Sequence, residues 1–167
     1  MAKFKAIGAI AINQDIHATT TIAGVQKLGT RVKAIDVASA SDYGEGEFIY
    51  LKGVASTVVG SVVTYDSGGW TTALVDHDHF GNVAVAMSIN VADQYGWYQI
   101  HGRGVVTAVA GAADASQMYL QENQVGKVVH TPLAGDAVHG MESTSGVGTP
   151  DTGLAEVTMS YPCLTNE

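Results

Sequence analysis

Glycine punctuates this chain from end to end and leaves only short apolar stretches between turn signals. Twenty glycines are spread over 167 residues, the second half is rich in Val and Thr, and strong helix formers fall into no periodic pattern. Such a composition favours strands and turns. From Glu47 onward nine apolar segments recur: Glu47 to Leu51, Ser61 to Tyr65, Thr71 to Val75, Asn82 to Ser88, Gly96 to Val109, Gln117 to Gln121, Lys127 to His130, Ala137 to Glu142 and Leu154 to Tyr161. Their spacing predicts an all-β fold of low helix content, an antiparallel β-barrel or sandwich.

Alternation supports this reading. In Trp97 to Gly102, Trp97, Gln99 and His101 share one face while Tyr98 and Ile100 share the other; in Leu154 to Met159, Ala155, Val157 and Met159 lie opposite Leu154, Glu156 and Thr158. Period-two patterning is the mark of a strand whose two faces differ in environment. Asp66-Ser67-Gly68-Gly69 tolerates the positive φ that a tight hairpin requires, so a hairpin is predicted there. Asp76 to Asn82 reads as the next turn, Ala110 to Ser116 as a small-residue connection, and Ser143 to Gly153 as an exposed loop before the last strand.

Residues 1 to 44 lack this strand-turn rhythm although they carry apolar side chains. A segment of that kind either adds peripheral strands to its own sheet or stays extended until a neighbouring subunit covers it. The chain therefore divides into an extended N-terminal arm, 1–44, with possible peripheral strands, and a β-barrel-like body, 45–167. The lysine-flanked apolar opening faintly imitates a signal peptide, but it runs into Asn13, Gln14 and Asp15 without a convincing cleavage site and is read as mature chain.

Charge narrows the function. Eight basic residues against sixteen acidic ones give a formal charge of −8, which argues against direct nucleic-acid binding, since a phosphate backbone is held by clustered Lys and Arg. No apolar run approaches the roughly 20 residues of a membrane-spanning helix. The single cysteine, Cys163, forms no intrachain disulfide and reads as a small semi-buried hydrophobe.

The sharpest local motif is Asp76-His77-Asp78-His79. On an extended segment His77 and His79 share one side and can share a divalent metal, with His101, His130 or His139 supplied as a further ligand by the fold. The competing reading is a solvated turn whose histidines are incidental, so no metal or other cofactor is assigned. There is no Gly-x-Ser-x-Gly elbow, and Ser56 reads as a turn or strand-end residue. Gly102-Arg103-Gly104 has no following helix to hold a phosphate and reads as a bulge or sharp coil. Trp70, Tyr95, Trp97 and Tyr98 are candidates for a carbohydrate platform, although Trp97 and Tyr98 point to opposite faces and core packing is the commoner use. No catalytic residue is assigned.

The stretches Gly46 to Asp66, Val83 to Ala92 and Tyr95-Gly-Trp-Tyr-Gln-Ile-His-Gly-Arg-Gly104 resemble small virion structural proteins of tailed bacteriophages, most closely the capsid decoration, or cement, class; the resemblance spans roughly residues 44 to 161. It implies a barrel-like body on the outer surface of an icosahedral head, made in the host cytoplasm, with an arm bridging neighbouring major capsid proteins. It also implies a homo-oligomer, trimer or dimer, that acts by contact and not as an enzyme. On this reading the arm binds its partner through Phe4, Ile7, Ile10, Ile12, Ile16, Ile22, Val25 and Leu28. The alternative is a host-surface or carbohydrate-binding appendage that uses Trp70 and the loops around His77 to His79 and Ser143 to Gly153.

Overall fold

The computed structural model describes residues 2–8, 11–37, 42–109, 116–130 and 136–165. Among these residues there is no helix. Eleven strands follow in chain order: β1 (Phe4–Ile7), β2 (Thr19–Thr20), β3 (Arg31–Asp36), β4 (Glu45–Lys52), β5 (Val62–Tyr65), β6 (Thr72–Leu74), β7 (Gly81–Ala86), β8 (Tyr95–Thr107), β9 (Gln117–Tyr119), β10 (Ala137–Ser143) and β11 (Leu154–Leu164). They form one antiparallel sheet that is not closed, so the protein is all-β with a barrel- or sandwich-like body. The main path runs β1-β3-β4-β8-β11-β7-β5-β6, with β10 beside β11, β9 beside β10 and β2 beside β8.

The sheet bends because β8 serves several neighbours. Its first half pairs with β4, its second half with β11 from Thr107↔Leu154 to His101↔Ser160, and Gln99 also faces Val85 of β7. Where β8 passes from one set to the other a bulge intervenes: Glu47 faces His101 while Phe48 faces Gln99, leaving Ile100 unopposed. Gly102 stands just after it with φ of +94°, and a Cβ there would lie 2.5 Å from the Glu45 carbonyl oxygen. The glycine is what lets β8 turn the corner against β4. The bulge read from Gly102-Arg103-Gly104 falls instead at Ile100, two residues earlier, while those three residues keep regular register with β11.

Three apolar clusters fill the layers. Val62, Val83, Val106, Met118, Val138, Met141, Val157 and Met159 belong to one; Ile49, Leu51, Val63, Ala84, Tyr98 and Ile100 belong to a second. The third joins Phe48, Tyr50 and Trp97 to Phe4, Ile16, Val32, Ala34 and Tyr43. Trp97 and Tyr98 do point to opposite faces, as alternation predicts, yet both are fully buried, because β8 is covered on each side by a different cluster.

That third cluster corrects the N-terminal arm. The extended arm finds no support: β1 pairs with β3 and β3 with β4, so this segment lays strands onto its own sheet. The physical reason is the alternation in Arg31-Val-Lys-Ala-Ile-Asp, which buries Val32 and Ala34 and exposes Arg31, Lys33 and Ile35. Between β1 and β3 the chain is stitched down by Gln14, buried at 8% exposure. Its side-chain oxygen accepts from the Tyr50 hydroxyl at 2.7 Å, its amide donates to the carbonyls of Ala18 and Tyr95, and its carbonyl accepts from the Trp97 indole.

Eight of the nine predicted segments coincide with β4 to β11. The ninth, Lys127 to His130, forms only isolated bridges, Val128 to Ala108 and Val129 to Tyr119. The hairpin at Asp66 to Gly69 joins β5 to β6, with the Asp66 carboxylate accepting from the Gly68 and Gly69 amides and the Thr71 hydroxyl. The loop predicted over Ser143 to Gly153 begins one residue later, since Ser143 is the buried last residue of β10, and from Thr144 to Gly153 it is mostly exposed; Ser56 sits in a turn at φ of 66°. The Ala110 to Ser116 connection lies outside the described residues except for Ser116.

Candidate docking surface

β1 stands at one end of the strand order with a single neighbour, β3. The Val37 amide donates to the Lys3 carbonyl, so odd-numbered residues of this strand turn their backbone groups toward β3 and even-numbered ones turn them outward. The outward amide of Phe4 is taken by Nε2 of His17 at 2.9 Å; the backbone of Ala6 then faces a groove of about 380 Å³. Phe4, Lys5 and Ala6 form one wall of that groove and Ile12, Asn13, Gln14 and Asp15 form the other. A slot beside an edge strand accepts an added extended chain, with backbone hydrogen bonds for affinity and side-chain walls for selection.

At this edge Lys3 and Lys5 are exposed, Asp15 walls the groove, Asp36 accepts from the Lys3 amide, and Lys33 on the adjoining strand is paired with Glu45 at 3.1 Å, so the margin carries both signs of charge. Exposed Ile7, Ile35 and Val37 add apolar area at the same margin. Sequence reasoning reached the residues but not the edge, because only the tertiary path decides which strand ends a sheet.

The structure sorts the predicted partner-binding residues into three groups. Phe4 and Ile16 are core, and Ile12 and Leu28 pack against that core from half-buried positions. Ile7 and Ile22 are exposed, and Val25 is half-buried. Ile10 lies outside the described residues.

The Asp76-His77-Asp78-His79 motif is not extended. Asp78 has φ of 64° and the His79 amide donates to the Asp76 carbonyl, so the chain reverses and the two histidines do not line one side of a strand. His77 turns Nδ1 to the buried Asp136 carboxylate at 2.8 Å and Nε2 to Asp78 at 3.3 Å, while Nδ1 of His79 is buried without a hydrogen-bond partner. The Asp136 hydrogen bond, assisted by the charges of Asp136, Asp78 and Glu122, raises the His77 pKa. The proposed further ligands are elsewhere engaged or isolated: the His101 ring lies tilted against Tyr161, His139 contacts the Thr165 hydroxyl, and both ring nitrogens of His130 are buried and unpartnered. Among the described residues no group of three or more His, Cys, Asp or Glu side chains can hold a metal ion.

The aromatic candidates are packing residues. Trp97 and Tyr98 are buried, and burial pushes the Tyr98 phenol up to about 12 while the Asn90 amide donates to it. Trp70 is half-buried, packs against the cluster around Tyr98, and lies so close to Gly29 that a Cβ there would meet its ring at 2.5 Å. Cys163 is a half-buried free thiol on β11. A buried carboxylate, Glu156, ties the Tyr43 hydroxyl at 2.7 Å to Arg103 at 3.2 Å, a link between distant segments. No protein-family model matches the chain, and no curated protein or solved structure is significantly similar to it.

Proposed function

We propose that this protein is a capsid decoration protein of a tailed phage, seated as a trimer or dimer on the outer surface of an icosahedral head and bracing contacts between major capsid proteins. The observation that carries the reading is the β1 edge: outward backbone at Ala6, a groove walled by Ile12 to Asp15, and the exposed apolar side chains of Ile7, Ile35 and Val37 at its margin. An extended segment of a shell protein fits such an edge by strand addition. The resemblance of residues 44 to 161 to cement proteins supports the same reading. Bracing of this kind acts by mass action, since contacts made only in the assembled shell stabilise that state, and symmetry multiplies modest contacts.

The decisive measurement is co-sedimentation with intact heads. The chain is expected in fixed ratio to the major shell protein, and a Lys5→Glu, Ile7→Glu variant is expected to remain soluble and unbound with an unchanged melting temperature. Heads lacking the chain, or a variant bound at full ratio, would overturn the proposal. Deleting residues 1–44 is a poor test, because it removes Phe4, Ile16, Val32 and Tyr43 from the core.

A further inference from the structure

Opposite in strand order to the β1 edge, the hairpin of β5 and β6 and the start of β7 enclose a second open groove of about 410 Å³. That volume falls in the ~300–1,000 Å³ range of small-molecule sites. Phe80, at 71% exposure the most exposed large apolar side chain of the described residues, lines it, together with Thr64, Asp66, Ser67, Thr71 and Asn82. The groove thus sets one exposed phenyl ring beside hydroxyl, amide and carboxylate groups.

The lining chemistry selects its ligand. No Lys or Arg lines the groove, so a phosphate or other anion has no counter-charge there. The Asp66 carboxylate is held rigidly by the Gly68 and Gly69 amides and the Thr71 hydroxyl, and those hydrogen bonds keep its pKa below the usual carboxylate value. It is therefore a fixed, charged acceptor that repels anions and receives hydroxyl donors. Ser67 and Asn82 have no side-chain hydrogen bond among the described residues, which leaves a hydroxyl and an amide able both to donate and to accept. A ring with one apolar face and a rim of hydroxyls matches this set: the phenyl takes the C–H face and the polar groups take the rim.

We infer that the groove bounded by Phe80, Asp66 and Asn82 binds a neutral saccharide. This goes beyond the shell-docking reading and is independent of it, since the groove and the β1 edge lie at opposite ends of the strand path. It also differs from a platform on Trp70, whose ring is packed against Gly29. Repeated over the copies of a decoration protein, such a site is a weak, multiply displayed contact with cell-surface glycans, and symmetry raises its avidity.

The test is a titration of the ¹⁵N-labelled full chain with glucose, galactose, mannose, N-acetylglucosamine, lactose and maltose, each to about 50 mM, a ceiling suited to weak sites. At least one sugar is expected to shift the amides of Thr64, Thr71, Phe80 and Asn82 saturably. Phe80→Ala is expected to weaken that binding about three- to tenfold, the worth of one aromatic contact, with an unchanged melting temperature, and Phe80→Trp to restore it. Shell co-sedimentation of Phe80→Ala stays as in the parent, which separates the two proposals. No saturable shift with any of the six sugars, shifts that map elsewhere, or undiminished binding by Phe80→Ala would overturn the inference.

Discussion

At the scale of single residues, backbone proximity and proton affinity make the clearest demands. Gly53 runs so close to the loop after β7 that a Cβ would lie 1.8 Å from the Asn90 carbonyl oxygen, with the Val91 carbonyl at 2.8 Å. Because backbone and not a flexible side chain blocks that space, Gly53→Ala is expected to destabilise the fold by about 3 kcal/mol or more, read by urea unfolding. Two histidines respond to pH in opposite senses. His17 accepts the Phe4 amide through Nε2, and burial lowers its pKa below 6.5. Its contribution is complete above pH 6.5 and fades as pH falls toward the depressed value, so His17→Gln should flatten the acid side of the melting-temperature profile and leave the neutral side unchanged. His77 is raised above 6.5 by Asp136, so its contribution is full below 6.5 and fades as pH climbs through the folded value. His77→Asn should remove that alkaline-side loss, and NMR titration of the two imidazoles checks both directions. The sequence marked His77 as chemically interesting for its neighbours in the motif; its strongest partner, Asp136, is 59 residues away and left no local trace.

At the scale of elements, side-chain anchors hold strands that pairing alone holds weakly. Gln14 fastens the coil before β2 to Tyr50, Tyr95 and Trp97. Gln14→Ala leaves the buried Tyr50 hydroxyl without that partner and should cost about 1–3 kcal/mol, with faster limited proteolysis within residues 11–30. Glu156 plays the same part between β11, β8 and Tyr43, and Glu156→Ala should cost about 2–3 kcal/mol, as expected for hydrogen bonds to a charged acceptor, seen as a lower urea midpoint. Strands β4 to β11 were legible because turn residues bracket alternating apolar positions. β1 and β2 leave no signal in the sequence, because four and two residues are too short to show a period; β3 leaves one, the alternation of Arg31 to Asp36 behind the turn at Gly29, which an extended-arm reading overlooks. Lys127 to His130 looked like a strand and makes only bridges, because its neighbours at Ala108 and Tyr119 meet it one residue at a time.

At the scale of the whole molecule, charge and topology govern behaviour. With a formal charge of −8 and a pI near 5.0, self-repulsion weakens as pH approaches 5, so light scattering should show self-association there that reverses on return to neutral pH. The strands that pair are far apart in the chain, as with β4 and β8 or β7 and β11, so refolding is expected in the slow, millisecond-to-second class, measurable by stopped-flow fluorescence of Trp70 and Trp97 together. Period-two patterning and turn chemistry act between residues two to four apart, and for that reason the amino-acid order alone determined the all-β class, most strand positions and the hairpin at Asp66. Which strand lies at an edge, which aromatic ring is left in solvent, and that the N-terminal segment completes the core depend on contacts between residues tens of positions apart. Those were decided only when the chain closed on itself, because burial is a property of the assembled surface and not of any local stretch.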